Sequence, residues 1–70
     1  MIEDWRMVKD FEGLYWINSI GQIKNKNGKV LKHYHVGGIE SVTLYGSGLR
    51  QEYPINVLLA RNFPEKYMEE

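Results

Sequence analysis

The sequence predicts an α+β fold: a small antiparallel sheet of about four to five short strands, followed by one C-terminal helix. Three observations predict it. Aromatic and β-branched runs recur between glycine-bearing turns as far as Tyr53. The apolar spacing then switches to Ile55, Leu58, Leu59 and Phe63, the i, i+3, i+4, i+8 stripe of a helix of about two turns. The chain has 70 residues, which allows one small domain with one core.

The elements follow in order. Residues 1–9 alternate weakly and read as an extended arm or short strand that docks Trp5 into the core. Asp10-Phe11-Glu12-Gly13 is a turn, and residues 14–17 form a strand of aromatic and β-branched side chains. Asn18-Ser19-Ile20-Gly21 turns tightly, with Gly21 free to take positive φ. Residues 22–26 return, with Ile23 inward and Gln22, Lys24 and Lys26 on the opposite face. Asn27-Gly28 is the strongest hairpin signal, and it opens a strand over 29–33 that Val36-Gly37-Gly38 breaks. Residues 39–45 and 49–53 pair across Gly46-Ser47-Gly48; with Val42 and Leu44 inward, Ser41, Thr43 and Tyr45 face out. Pro54 suits the first turn of the helix, and Pro64 either stops the helix or starts a new turn. No internal repeat is evident, and the domain core is expected over about 3–63 with a short acidic tail at 64–70.

A domain of this size buries only about 60% of the surface its unfolded chain exposes, so its nine aromatic residues must supply much of the core. There is no cysteine, hence no disulfide and no thiolate for structural zinc. No apolar run is long enough to span a membrane, and no signal peptide is evident. The expected location is the cytoplasm of a bacterial host.

Net charge is zero, with nine bases and nine acids, but the charges are segregated. Residues 1–12 hold four acids and two bases, and residues 40–70 hold five acids and three bases. Between them, residues 13–39 hold Lys24, Lys26, Lys29 and Lys32, both histidines and no acid. Such a stripe reads either as a solvated face or as the footprint of a nucleic-acid partner. A two-stranded antiparallel ribbon has the width of the DNA major groove, and the lysines fall on such a ribbon.

Catalytic patterns are lacking. His33 and His35 share a strand face, but no cysteine or nearby carboxylate completes a metal set. Ser19, Ser41 and Ser47 have no histidine-carboxylate relay. Gly46-Ser47-Gly48 lacks the lysine and helix start of a phosphate-binding loop. No metal, cofactor or catalytic residue is expected.

Trp5, Phe11-Glu12-Gly13-Leu14-Tyr15 and Ile17-Asn18-Ser19-Ile20-Gly21-Gln22-Ile23-Lys24 together resemble the signature of the NUMOD-type domain, the nuclease-associated modular DNA-binding domain of phage and intron HNH homing endonucleases. Asn27-Gly28-Lys29-Val30-Leu31-Lys32 is similar to that family's basic turn and strand, the stretch 38–44 to its glycine-led strand, and 55–63 to its closing helix. The resemblance covers roughly residues 3–63. It implies an antiparallel sheet laid into a DNA groove, with the helix as support, just ahead of a nuclease module.

The departures from the family pattern matter too. The usual serine-asparagine turn is reversed at Asn18-Ser19, Gln22 stands at a frequent arginine, Asn56 and Val57 replace a histidine-arginine pair, and Ser41 takes a position often basic. No Asn-His…Asp-Gly-Asn nuclease motif follows.

Two functional readings stand. In the first, the chain is a free-standing module for double-stranded DNA without nuclease activity. Lys24, Lys26, Lys29 and Lys32 meet phosphates, Gln22, Asn25 and Asn27 reach base edges, and His33 and Arg50 complete the candidate set. Tyr34 and Tyr45 are the exposed stacking candidates, while Trp5 and Trp16 are expected to be structural. In the second, the fold binds a protein: a host protein, a separately encoded nuclease, or a second copy held through Glu65, Glu69 and Glu70. A remnant with no selected role is the third possibility.

Overall fold

The turns expected from the glycine pattern form, but the strand expected over 29–33 does not, and the strands segregate into two sheets instead of one. The computed structural model describes residues 4–67, so Glu69 and Glu70 and the start of the arm lie outside the described residues. The first sheet contains β1 (Arg6–Met7), β2 (Tyr15–Ile17) and β3 (Ile23–Asn25), antiparallel in that order. The second contains β4 (Tyr34–Val36), β5 (Ile39–Gly46) and β6 (Leu49–Pro54), likewise antiparallel in order. Helices α1 (Ile55–Asn62) and α2 (Pro64–Tyr67) close the fold, so Pro64 starts a new turn. The architecture is α+β, with six strands in place of the four to five expected.

The sixth strand is β1, in the segment read as an arm or short strand, and β4 takes the place of the strand expected over 29–33, which does not form. Lys29 closes the hairpin turn, Val30 makes a single bridge to Lys24, and the Leu31 N–H donates to the Ile23 carbonyl at 2.7 Å. Leu31 then packs on the core, and the chain leaves the first sheet. Extended pairing resumes at Tyr34, in the second sheet, across Gly37-Gly38.

The two turns flanking β3 have the same hydrogen bonding, a repeat at seven-residue spacing that was not expected. In the first, Asn18 Oδ1 accepts from the N–H groups of Ile20 and Gln22, and the Gly21 N–H donates to the Asn18 carbonyl. In the second, Asn25 Oδ1 accepts from Asn27 and Lys29, and the Gly28 N–H donates to the Asn25 carbonyl. Each asparagine satisfies two backbone donors that a tight turn would otherwise strand. Asn18 is fully buried, and its Nδ2 donates to Gln22 Oε1 at 2.8 Å. The reversed Asn18-Ser19 order and the glutamine at 22 are thus one coupled feature.

The core comprises Val8, Phe11, Tyr15, Ile17, Ile23, Val42, Leu44, Ile55, Leu58 and Phe63. Phe11 joins the two sheets. Its ring lies edge-on to Tyr15 of β2 (centroids 6.0 Å apart) and to Tyr53 of β6 (5.8 Å). The Tyr15 hydroxyl accepts the Tyr45 N–H at 3.1 Å, on the edge of β5 that β4 leaves uncovered. Helix α1 turns Ile55, Leu58 and Asn62 inward and follows β6 with no loop, Pro54 being both the end of the strand and the cap position. Ser41 is buried, contrary to the outward position expected, and its hydroxyl donates to the Ile39 carbonyl. Tyr45 faces out as expected.

Arg6 and Asn62 fasten the arm. Arg6 lies 4.1 Å above the ring of buried Phe63, donates to the Asn62 carbonyl at 2.8 Å and pairs with Glu65. Asn62 Oδ1 accepts the Lys9 N–H, and its Nδ2 donates to the Leu58 carbonyl. The hydrogen bond from Arg6 holds the Glu65 carboxyl below its ordinary range. Glu65 is therefore engaged within the domain and does not present a free acid to a second copy. Trp5 stays out of the core: Arg6 sits opposite the inward Ile17, so alternation turns Trp5 to the outer face.

Three outcomes follow from this packing. Gly46→Ala places a Cβ 2.9 Å from two atoms of the Phe11 ring and should destabilise by about 1–3 kcal/mol. Next to it, Ser47 is held at φ 54°, so Ser47→Asn should stabilise by about 0.5–1 kcal/mol. Thermal melts would show the two shifts with opposite signs. A carboxyl with a depressed folded pKa contributes stability above its ordinary titration, near pH ~4.5, and loses it as pH falls through the folded value. Glu65→Gln should remove that part of the acid dependence, as read by urea unfolding at pH 3 to 7.

Candidate nucleic-acid interface

The β2–β3 ribbon has one buried and one open face. Ile17 and Ile23 pair directly and are both fully buried. The next pair, Trp16 and Lys24, must then point the other way. Met7 lies opposite Trp16 on β1, and Val30 bridges Lys24, so the open face carries Met7, Trp16, Lys24 and Val30 in a row. Trp5 joins them, with the Lys24 ammonium 4.3 Å above its ring.

Beyond β3 the second asparagine turn forms a ridge. On one side is an open groove of about 420 Å³ lined by Trp5, Trp16, Lys24, Asn25, Lys26 and Gly28. On the other is a recess of about 260 Å³ lined by Asn25, Lys26, Asn27 and the half-exposed Tyr45 of the second sheet. Basic side chains are thereby flanked by aromatic ones on both sides.

The cations divide into two sets. All three arginines are held by carboxylates: Arg6 by Asp4 and Glu65, Arg50 by Glu52 at 3.1 Å, and Arg61 by Asp10 at 3.6 Å. By contrast, none of the six lysines has an ion-pair partner among the described residues, and four of them, Lys24, Lys26, Lys29 and Lys32, cluster on β3 and the chain just after it. Lys26, Lys29 and Lys32 are exposed.

The candidates expected from the sequence therefore fall in different places. Lys24, Lys26, Asn27 and Lys29 come together at the ridge. Lys32 is on the segment crossing between the sheets. Gln22 is exposed, but its Oε1 already accepts from Asn18, and Asn25 is occupied by its own turn. Arg50 lies on β6 in the other sheet, paired with Glu52. His33 stands before β4 with Nδ1 2.6 Å from Glu40, a carboxylate that strand pairing brings beside it and that the sequence reading did not associate with it. Among the described residues no three His, Cys, Asp or Glu side chains come together to hold a metal. Tyr34 bonds Thr43 Oγ1 through its hydroxyl. Trp5 and Trp16, taken as structural, are instead the groove walls; the alternation Trp5-Arg6-Met7 was the available signal.

No protein-family model matches the chain. No curated protein matches it either. Among solved structures, it is similar to one that shows DNA binding and cleavage by the HNH homing endonuclease I-HmuI, with a TM-score of 0.77 and 29% sequence identity. The match covers 86% of this chain and 36% of that one, so the chain spans about a third of that enzyme's length. At the level of the fold, the chain is similar to part of that homing endonuclease.

The ridge assigns unequal weights to its members. Asn25→Ala strands two backbone donors and should cost about 1–2 kcal/mol of stability. Asn27→Ala, whose side chain has no hydrogen-bond partner among the described residues, should leave the melting temperature within about a degree or two.

Proposed function

We propose that this chain is a module for duplex DNA, of the NUMOD type, that binds without cutting. The single observation that carries the reading is the division of the cations. The arginines are paired with carboxylates, while four of the six unpaired lysines are gathered on β3, the turn after it and the segment that follows. Clustered free lysines release counterions when they meet phosphates, and that term dominates affinity for a duplex. The likeness to a protein that binds and cleaves DNA supports the same reading.

In this arrangement Lys24, Lys26, Lys29 and Lys32 contact the backbone. The edge of the first sheet, β3 with the segment that bridges back to it at Val30, enters a groove with the Asn25–Gly28 turn leading. Asn27, whose amide is unengaged, reaches base edges there, and Gln22 offers an amide N–H. Arg50 and His33 support sheet structure and are not readers.

The test is a titration of the purified chain with mixed-sequence duplex DNA at several salt concentrations. Four phosphate contacts should give a slope of log affinity against log salt of about −3 to −4. Lys26→Glu and Lys29→Glu should each weaken binding strongly, and Arg50→Gln should change it little. Backbone chemical shifts should move at 22–32. Supercoiled plasmid incubated with Mg²⁺ should remain intact. Failure to bind even at low salt would sink the reading.

A further inference from the structure

The groove beside the ridge has a composition that a duplex reader does not require. Both tryptophans of the chain lie in it and outside the core, although the core is small. An indole at a sheet surface forgoes the burial it would gain inside. Trp16 is set there by strand register, directly opposite Lys24. The Lys24 ammonium already occupies one face of Trp5, and the lining includes no carboxylate. At Gly28 an added Cβ would meet nothing within 4 Å, so that stretch of the wall is bare backbone.

These features select among ligands. A volume of about 420 Å³ suits one small planar group. Two lysines and no acid select an anion. In a duplex, bases show only their edges in the grooves, and their faces are closed by their neighbours. An indole can stack only on a base that has left the stack.

We propose that the Trp5–Trp16 groove binds an unpaired base of single-stranded DNA. The base stacks on Trp16, and its flanking phosphates lie on Lys24 and Lys26. The inference rests on the DNA reading above and adds a second mode to it: duplex on the ridge, a displaced or single strand in the groove. A strand that crosses from duplex to single strand would meet both surfaces.

The two tryptophans make the test direct. Intrinsic fluorescence of the whole chain is titrated with a thymidine oligonucleotide, with a mixed-sequence duplex, and with a proline-rich peptide that an aromatic groove would also accept. The single strand should quench the fluorescence, and the duplex and the peptide should not. Trp16→Leu, which keeps an apolar floor, should lower single-strand affinity about tenfold or more while duplex affinity stays within about twofold. Independently of that variant's folding, the indole N–H signals of the wild-type chain should shift with the oligonucleotide. Duplex binding without single-strand quenching, or a single strand that binds equally well after Trp16→Leu, would overturn this inference and leave the duplex reading standing. Quenching by the peptide alone would overturn it in favour of a protein ligand. Binding of neither nucleic acid at low salt would overturn both readings.

Discussion

The fold depends on one aromatic joint. Two three-stranded sheets of two- to eight-residue strands are too small to stand apart, since an isolated short sheet is marginal in water. Phe11 unites them by placing its ring against an aromatic from each sheet and against the bare backbone of Gly46. Tyr15 adds a polar tie, its hydroxyl receiving a backbone N–H from β5 that would otherwise be left without a strand partner. Without the joint, helix α1 would have a single sheet to cover and the β2–β3 ribbon would have nothing behind it.

Once the ribbon is anchored from behind, its front is free of structural duty. The arm is clipped by Arg6 and Asn62 at the helix end, and the turns are closed by their own asparagines. Neutral net charge is then no obstacle to binding a polyanion. The charges that sum to zero are not equally available, because four of the nine acids are paired with arginines within the domain. The field seen by an approaching strand is local, and over residues 13–39 it is set by four lysines and no acid.

Much of this was legible in the sequence. The helix stripe Ile55, Leu58, Leu59, Phe63, the Gly21 turn and the inward pair Val42 and Leu44 all follow from local periodicity, and local periodicity was correct there. What was not legible depended on contacts remote in sequence. Nothing local says that pairing stops at Leu31 and resumes at Tyr34, because the cause is the turn from one sheet to the next. Ser41 sits on the outward phase of β5 and yet is buried, and Glu40 reaches His33 only through strand pairing. The lysine stripe was visible as composition; that Arg6 reaches Glu65 and Arg61 reaches Asp10 is a fact of tertiary structure. The tryptophans were misjudged for the ordinary reason that large apolar side chains usually fill cores.

The twin asparagine turns have a consequence for how such a surface can change over time. In each, the asparagine and the glycine three residues on fix the backbone; in the first, the Ser19 carbonyl is also held by the Tyr67 hydroxyl, while in the second the two residues between are exposed. In the second turn these are Lys26 and Asn27, neither of whose side chains has a hydrogen-bond partner among the described residues. Sequence drift at those two positions is therefore nearly neutral for folding and consequential for recognition. A frame of this kind can be retuned to a new target one tip at a time, with its architecture conserved throughout.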